Sequence, residues 1–361
     1  MSIEVSVVIP TYKRPELLNR CLNALMNQDL DPETFEVIVV DNAGCEETRA
    51  FVDEYMRISN IYRSLAGEFN GFQNSGVGTS LKEREAGSYS VALLSAVRCP
   101  RFIYLSAADV IGPAAARNVG WRAAQGAIIA FTDDDCIPEP DWLMEGVATF
   151  DGDIVGVSGR VEVPIPLNPT DYEKNAAQLS GALFVTANCF YLRSVLEEVG
   201  GFDERFPAAW REDADLYFTL LSRSYKLKQN QFAAVNHPVR PASWGISLKQ
   251  QKKAMYNALL YKKHPGLYRQ HIQSRPPMRY YSILLAAVLG VAALLLQEIP
   301  LAIFFWGAWA AQTAVFALQR LLGTRYTPQH IWEMIITSIL IPPLSIFWRL
   351  FGAVKYRVLF F

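Results

Sequence analysis

Charged residues are spread along about the first 275 positions of this sequence and then almost vanish. None occurs from Tyr280 to Leu296 and none from Ile299 to Gln319; only Gln297 and Glu298 separate the two runs. A helix needs about 20 apolar residues to cross a bilayer. The second run meets that length, and the first suffices if its flanks snorkel or the pair is embedded together. The alternative is a hairpin buried in a soluble core, but segments this apolar rarely follow one another there. Arg275 and Arg279 precede the first run, and Arg320 and Arg325 follow the second. The positive-inside rule then keeps the N-terminal region in the cytoplasm with the hairpin tip outside. A third apolar segment, Ile331 to Phe351, contains Glu333 and is interrupted by Pro342 and Pro343. It suits a re-entrant pair or a helix lying in the interface.

Ahead of these runs, the stretch 241–278 is basic, with Lys249, Lys252, Lys253, Lys262, Lys263 and Arg269 among tyrosines and leucines. That pattern fits an amphipathic helix on anionic headgroups, against an ordinary solvated helix face. The organisation expected is therefore a folded domain over 1–240, a basic juxtamembrane linker over 241–278, a transmembrane hairpin over 279–320, and interfacial or re-entrant helices over 321–361. The opening residues lack a basic segment followed by a long apolar one, so a cleaved signal peptide is not expected. A net charge of −1 argues against a general nucleic-acid binder. Five scattered cysteines without a CxxC pair fit a reducing compartment and give no zinc signature.

The N-terminal region alternates strand and helix signals. Val5–Ile9 is a β-branched run ended by Pro10, and Pro15 opens a helical pattern with Leu17, Leu18, Cys21, Leu22 and Leu25 on one face. Phe35–Val40 is a second strand ending in Asp41, followed by a helical pattern from Glu47 to Tyr55. Residues 64–79 are rich in Gly, Asn and Ser and read as a loop. Arg101–Ala107 is another strand, and a helix over about 113–125 leads to the strand Ile128–Phe131. A β-α-β-α order implies an α/β fold with a parallel sheet, whose ligands bind beyond the carboxyl ends of the strands. Pro10, Thr11, Asp41 and the trio Asp133, Asp134 and Asp135 all occupy such ends.

Two acidic clusters carry the chemistry. In extended backbone, residues two apart point the same way, roughly 7 Å apart, so Asp133 and Asp135 would face one cleft. Hard cations such as Mg²⁺ use one or two carboxylates together with substrate phosphates; the alternative is a solvated turn capping the next helix. The second cluster holds Asp203, Glu204, Glu212, Asp213 and Asp215. Acids in a first helical turn are favoured by the helix dipole; the functional reading makes Glu212 or Asp213 a general base. Trp210 beside them offers an apolar platform for a sugar ring or another flat ligand face.

The segments "SVVIPTYKRPELL", "VIVVDN", "ARNVGWRAAQG", "IAFTDDDCIPEPDWL", "NCFYLRSVLEEVGGFDERF" and "WREDADL" follow one another as in family 2 glycosyltransferases, which this chain resembles from about Ser2 to His237. The resemblance implies an inverting enzyme with a GT-A nucleotide-sugar fold, a Rossmann-like, mostly parallel sheet. It implies that Pro10, Thr11 and Asp41 form the nucleotide-base pocket, that Arg117 contacts the nucleotide, and that Asp133 and Asp134 lie near ribose and diphosphate. Asp135 resembles the metal ligand of the DXD motif, with Asp133 and His237 as further candidates and Mg²⁺ or Mn²⁺ as the ion. Asp213 resembles the catalytic base, with Glu212 beside it for support or acceptor binding and Trp210 at the acceptor. Two departures stand out. The segment around 63–101 is longer than the family pattern, and no QxxRW motif follows the second cluster, which disfavours a processive synthase.

The function expected is a membrane-anchored, metal-dependent, inverting glycosyltransferase. It would move a sugar from a nucleotide-sugar donor to a hydroxyl of a lipid-linked glycan or glycolipid at the cytoplasmic membrane. A diphosphate departs readily when its growing charge is stabilised, and an alcohol attacks when a carboxylate takes its proton. Two alternatives stand beside this: a polyprenyl-phosphate sugar transferase of the same fold, whose anionic acceptor needs no base, and a non-catalytic membrane protein that binds sugar nucleotides. A homo-oligomer is a further possibility, since apolar hairpins can pair.

Overall fold

The computed structural model describes residues 2–74 and 99–360, and of 65–74 the backbone alone. The chain divides into two compact units. The first comprises Met1–Glu162 and Gly181–His237, the second Val163–Ser180 and Pro238–Phe361. The excursion Val163–Ser180 into the second unit opens on a proline-rich stretch, with Pro164, Pro166 and Pro169.

The first unit is built on one sheet of eight strands among the described residues: β1 (Val5–Thr11), β2 (Phe35–Asp41), β3 (Arg101–Ser106), β4 (Ile128–Phe131), β5 (Ile137–Pro138), β6 (Ile154–Glu162), β7 (Cys189–Leu192) and β8 (Lys226–Asn236). Their order is β3-β2-β1-β4-β7-β6-β8-β5. The β3-β2-β1-β4 half is parallel, β7 runs antiparallel to both β4 and β6, and β6 pairs with β8 in parallel. The chain winds outward from β1 through β2 to β3 and then returns to the other side of β1 with β4. That reversal opens a crevice at the carboxyl ends of β1 and β4, where such sheets bind ligands.

Helices α1 (Pro15–Met26), α2 (Glu46–Asn74), α3 (Gly112–Ala123), α4 (Trp142–Ala148), α6 (Arg193–Val199) and α7 (Glu212–Ser222) complete this unit; α5 (Asp171–Ala176) belongs to the second. Proline opens α1, whose buried Leu18, Cys21, Leu22 and Leu25 recur at helical spacing. Val8, Ile38, Val40, Ile129, Phe131, Trp121 and Leu216 share one buried core. The expected loop over 64–79 is corrected in its first part: α2 continues to Asn74. Leu65, Phe69 and Phe72 keep a helical period there, which the Gly and Asn content had outweighed. The rest of the long 63–101 segment, from 75 to 98, lies outside the described residues.

In the second unit, the linker forms α8 (Ile246–Gln250), a 3₁₀ turn (Gln251–Ala254), α9 (Met255–Lys263) and α10 (Pro265–His271). The single amphipathic helix expected is thus several short ones, broken where Pro265 removes a helical donor. In α9, Met255, Tyr256, Ala258, Leu259 and Leu260 are all buried, so its apolar side faces protein. Three further helices are long and apolar enough to cross a membrane: α11 (Met278–Leu295), α12 (Ile299–Leu321) and α13 (Pro328–Tyr356). Leu285, Val288, Ile303, Phe304, Leu318 and Phe347 stand exposed on them. An apolar surface of that kind suits lipid rather than water.

The helix α13 is one element through Pro342 and Pro343, not a broken pair; prolines are tolerated in such helices when neighbours satisfy the freed carbonyls. It runs alongside the linker. Near its start Glu333 accepts from the Gly245 amide at 2.7 Å. Near its end Gly352 meets the Met255 backbone, Lys262 donates to the Tyr356 carbonyl at 2.8 Å, and Arg349 donates to Gln273 at 3.0 Å.

Candidate active site

The apolar strand β4 stops at Phe131, and the chain turns at once: the Cys136 amide donates to the Asp133 carbonyl at 3.1 Å. This turn corrects the expectation that Asp133 and Asp135 point the same way. Alternation holds only in extended backbone, and here the three carboxylates fan out to three different partners.

Asp133 turns toward α3, where Arg117 Nη2 reaches its Oδ1 at 2.6 Å. Asp134 turns toward β1. Thr11 Oγ1 donates to it at 2.8 Å and Arg14 Nη1 at 3.2 Å. Burial pushes its carboxyl up to about 6, against the opposing pull of Arg14 and Thr11. Asp135, 4% exposed, lies 3.5 Å from His237 Nε2. The antiparallel ladder brings His237 near: Ile137 on β5 is registered with Asn236 on β8, which sets Cys136 opposite His237 and Asp135 one residue beyond.

Asp135, Cys136 and His237 bring a carboxylate oxygen, a sulfur and an imidazole nitrogen within 4.8 Å of one another. The donor chemistry suits a hard divalent cation through Asp135 and His237 but not through Cys136. Burial, with Asp133 and Asp135 adding to it, pushes that thiol well up, so it stays protonated, and magnesium and manganese favour oxygen over sulfur.

At the end of β2, Asp41 is fully buried. Its Oδ1 accepts from the Ala43 amide at 2.9 Å, and its Oδ2 from the Cys45 amide at 2.7 Å and the Tyr104 hydroxyl at 3.0 Å. Asp41 thus shapes the turn into α2 beside Thr11, its neighbour in the ladder. Burial and the Asp41 carboxylate push the Tyr104 phenol up to about 12, so it remains a donor. Pro10 sits on β1 next to Val40, half-buried.

The "ARN" turn of α3 grips the second acidic cluster. Arg117 Nη1 reaches Glu212 Oε1 at 3.1 Å while its Nη2 holds Asp133. Asn118 donates to the Phe202 carbonyl and accepts from the Phe202 amide, at 2.8 and 2.9 Å. Gly201, at φ +74°, makes this approach possible, because a Cβ there would lie 2.6 Å from Asn118 Oδ1. Arg211, at φ +79°, sits in left-handed backbone just before α7. Non-glycine residues rarely adopt that conformation except at functional turns. Its guanidinium lies 4.6 Å from the Trp210 ring centre, and Trp210 is 38% exposed.

Glu212 is buried, and its second oxygen, Oε2, has no hydrogen-bond partner. Burial, with the Asp213 charge adding to it, holds its carboxyl above the usual range in spite of Arg117. Burial raises Asp213 as well, against the pull of the Ala214 amide, Arg211 and Arg117. The sheet end therefore brings together Thr11, Asp134, Asp133, Arg117 and Glu212 in one chain of contacts, with Asp135 and His237 on the far side of the same turn.

The glycosyl transferase family 2 model matches residues 6–75 and 87–200, the span that supplies β1, Asp41, Arg117 and the acidic turn. The chain belongs to glycosyl transferase family 2. A further model, glycosyl transferase family group 2, matches residues 170–350 of this glycosyltransferase. It is 29% identical to the glycosyltransferase AglE of Haloferax volcanii over 261 residues, covering 68% of this chain and 70% of that one. It is 26% identical to the validoxylamine A glucosyltransferase of Streptomyces hygroscopicus subsp. limoneus over 280 residues, covering 73% of this chain but 57% of that one. Among solved structures, the mannosyltransferase PcManGT from Pyrobaculum calidifontis, determined with GDP-Man and Mn²⁺, superposes with a TM-score of 0.54 at 18% identity. That match covers 96% of this chain and 88% of the other, and it identifies the fold as GT-A.

Three contributors to this glycosyltransferase's cleft escape the sequence reading. Arg14 lies inside a quoted motif, yet nothing in its spacing points to Asp134. Tyr104 stands at a strand end, the one available signal. Cys136 looks like an ordinary small core residue.

Proposed function

We propose that this chain is a membrane-anchored, inverting glycosyltransferase that moves a sugar from a nucleotide-sugar donor to a hydroxyl of a lipid-linked glycan or glycolipid. The observation that carries the reading is the Asp133–Arg117–Glu212 bridge, which ties the donor-side turn after β4 to the acceptor-side helix α7.

In this reading Pro10, Thr11 and Asp41 border the base, and Asp133 and Asp134 border ribose and diphosphate. Asp135 and His237 are the residues that would hold Mg²⁺ or Mn²⁺, and the ion supplies positive charge against the departing diphosphate. PcManGT, whose structure contains Mn²⁺, is in keeping with this. Arg117 acts as a positioning residue, fixing Glu212 and Asp133 at once. Asp213 takes the proton of the acceptor hydroxyl. The freed oxygen forms its bond to the anomeric carbon from the face opposite the leaving group. The bond to the diphosphate oxygen breaks with its electron pair, and one such displacement inverts the centre. Trp210 offers its exposed ring to the acceptor sugar.

The membrane part of the reading is a hairpin of α11 and α12, with α13 lying in the interface and the catalytic unit on the cytoplasmic side. The contacts of α13 with the linker along both its halves support the interfacial position, and the arginines around the hairpin support the sidedness.

The test is a donor screen by thermal stabilisation and transfer, with and without Mn²⁺. A single sugar nucleotide should raise the melting temperature through binding to the folded state and should support transfer. Absence of stabilisation and transfer with every sugar nucleotide would overturn the reading.

A further inference from the structure

A small pocket lies wholly within the second unit, between α10, the lead-in to α11 and the end of α13. Its volume is about 80 Å³. A water needs only about 10–15 Å³ of such space, so the pocket has room for a group of phosphate size. Three guanidinium groups line it, those of Arg269, Arg275 and Arg349, and no carboxylate does among the described residues.

The pocket is built rather than incidental. Arg349 sits on an apolar helix of 29 residues and is only 6% exposed. An ionisable group in such a helix is costly and marks a functional site by default. Its Nη1 donates to the neutral Gln273 side chain at 3.0 Å, and its guanidinium lies 3.7 Å from the Phe360 ring centre. Arg269 is held in the same manner. Its Nη2 donates to the Tyr261 hydroxyl at 2.8 Å, and it lies over the Tyr261 ring at 5.2 Å. Planar guanidinium groups steadied on aromatic rings are suited to bidentate recognition of phosphate oxygens.

Position selects the class of phosphate. Arg275 is separated from the apolar helix α11 only by Pro276 and Pro277. Tyr268 packs edge to face against both Tyr261 and Phe360, and those two rings meet at a tilt, so the pocket has a firm aromatic wall. We propose that the pocket holds the phosphate headgroup of a membrane lipid, with the acyl or prenyl chain running into the bilayer beside α11. This rests on the membrane reading above and not on the transfer chemistry.

The test uses the purified full chain in a neutral maltoside detergent and three probes: farnesyl phosphate, farnesol and inorganic phosphate. Farnesyl phosphate should raise the melting temperature, and the other two should not. Arg269→Gln and Arg275→Gln, both at exposed positions that tolerate substitution, should each weaken farnesyl phosphate about ten-fold, the loss of one charge-assisted contact. Stabilisation by a sugar nucleotide, read on the same samples, should be unaffected and reports the catalytic reading separately. Equal binding of inorganic phosphate overturns the lipid assignment. Undiminished farnesyl phosphate binding by the double variant, or none by the unaltered chain, overturns the site.

Discussion

Arg117 and Glu212 form an ion pair, 3.1 Å from nitrogen to oxygen, in which neither side chain is more than 3% exposed. They meet because α3 packs on β1 and β2 and Glu212 is the first residue of α7. The same guanidinium holds Asp133. One side chain therefore sets the distance between the turn after β4 and the first turn of α7.

Replacing Arg117 by Met should strand two carboxylates, one of them fully buried. Breaking a buried pair from one side costs about 3–5 kcal/mol. We expect a clear fall in melting temperature together with loss of transfer. Arg117→Lys keeps the charge but not the fork, and should recover part of the stability and little of the activity. Calorimetry and a transfer assay on both variants check this.

Asp213→Asn should leave donor affinity unchanged and slow transfer by roughly 10²–10⁴-fold, the usual contribution of a general base. Donor binding and single-turnover transfer, measured side by side, separate the two effects. Full turnover by this variant would instead indicate an acceptor that is already an anion, as in a polyprenyl-phosphate sugar transferase.

Burial holds Asp213 and Glu212 above the ordinary carboxylate range, which lies near pH 4. A base works only when unprotonated, so activity should be lost as pH falls through these raised values. The acid limb of the rate profile should accordingly lie closer to neutrality than a solvated carboxylate would place it. A limb at about pH 4 would show that no buried carboxylate acts as the base.

His237→Ala should raise the Mn²⁺ concentration required for activity about ten-fold or more, and Asp135→Asn further still, since lost metal-site groups commonly cost 10–100-fold. Cys136→Ser should leave that requirement nearly unchanged, because magnesium and manganese are held by oxygen and imidazole rather than by this sulfur. Calorimetric Mn²⁺ titration of the three variants reads the difference without reference to turnover.

Gly352→Val tests the packing of α13. A Cβ at Gly352 would lie 2.4 Å from the Met255 carbonyl oxygen, backbone that cannot step aside. Overpacking of this kind costs about 1–3 kcal/mol. A lower melting temperature is expected, and a melting temperature equal to that of the unaltered chain would show that α9 and α13 do not touch there.

The buried elements were legible in the sequence, the helix α1 through its one-face periodicity and the central strands through unbroken apolar runs. The proline that opens α1, the β-branched runs of β1 and β2 and the apolar strand before Asp133 all appear in the structure where the residues suggested. The six ordered motifs carried the family, and with it the fold. What escaped depends on geometry between distant segments. No local pattern tells whether Asp133 and Asp135 stand on extended backbone or in a turn, and the turn alone decides that they part company. Nor does composition reveal that Arg117 faces Glu212, or that the linker folds as short helices. A basic, aromatic stretch has the same pattern whether its apolar side meets lipid or α13.

The excursion Val163–Ser180 makes the two units interdependent in a practical sense. The polypeptide leaves the sheet unit after Glu162, re-enters it at Gly181 and departs again after His237. A soluble fragment ending at 240 would keep that excursion but strip it of what secures it, since Arg320 anchors Asp171 at 2.7 Å and the Arg325 amide anchors Pro169 at 2.9 Å. Shortening the gene is therefore a poor route to a tractable enzyme, and preparations meant for kinetics should retain the helical half and its detergent.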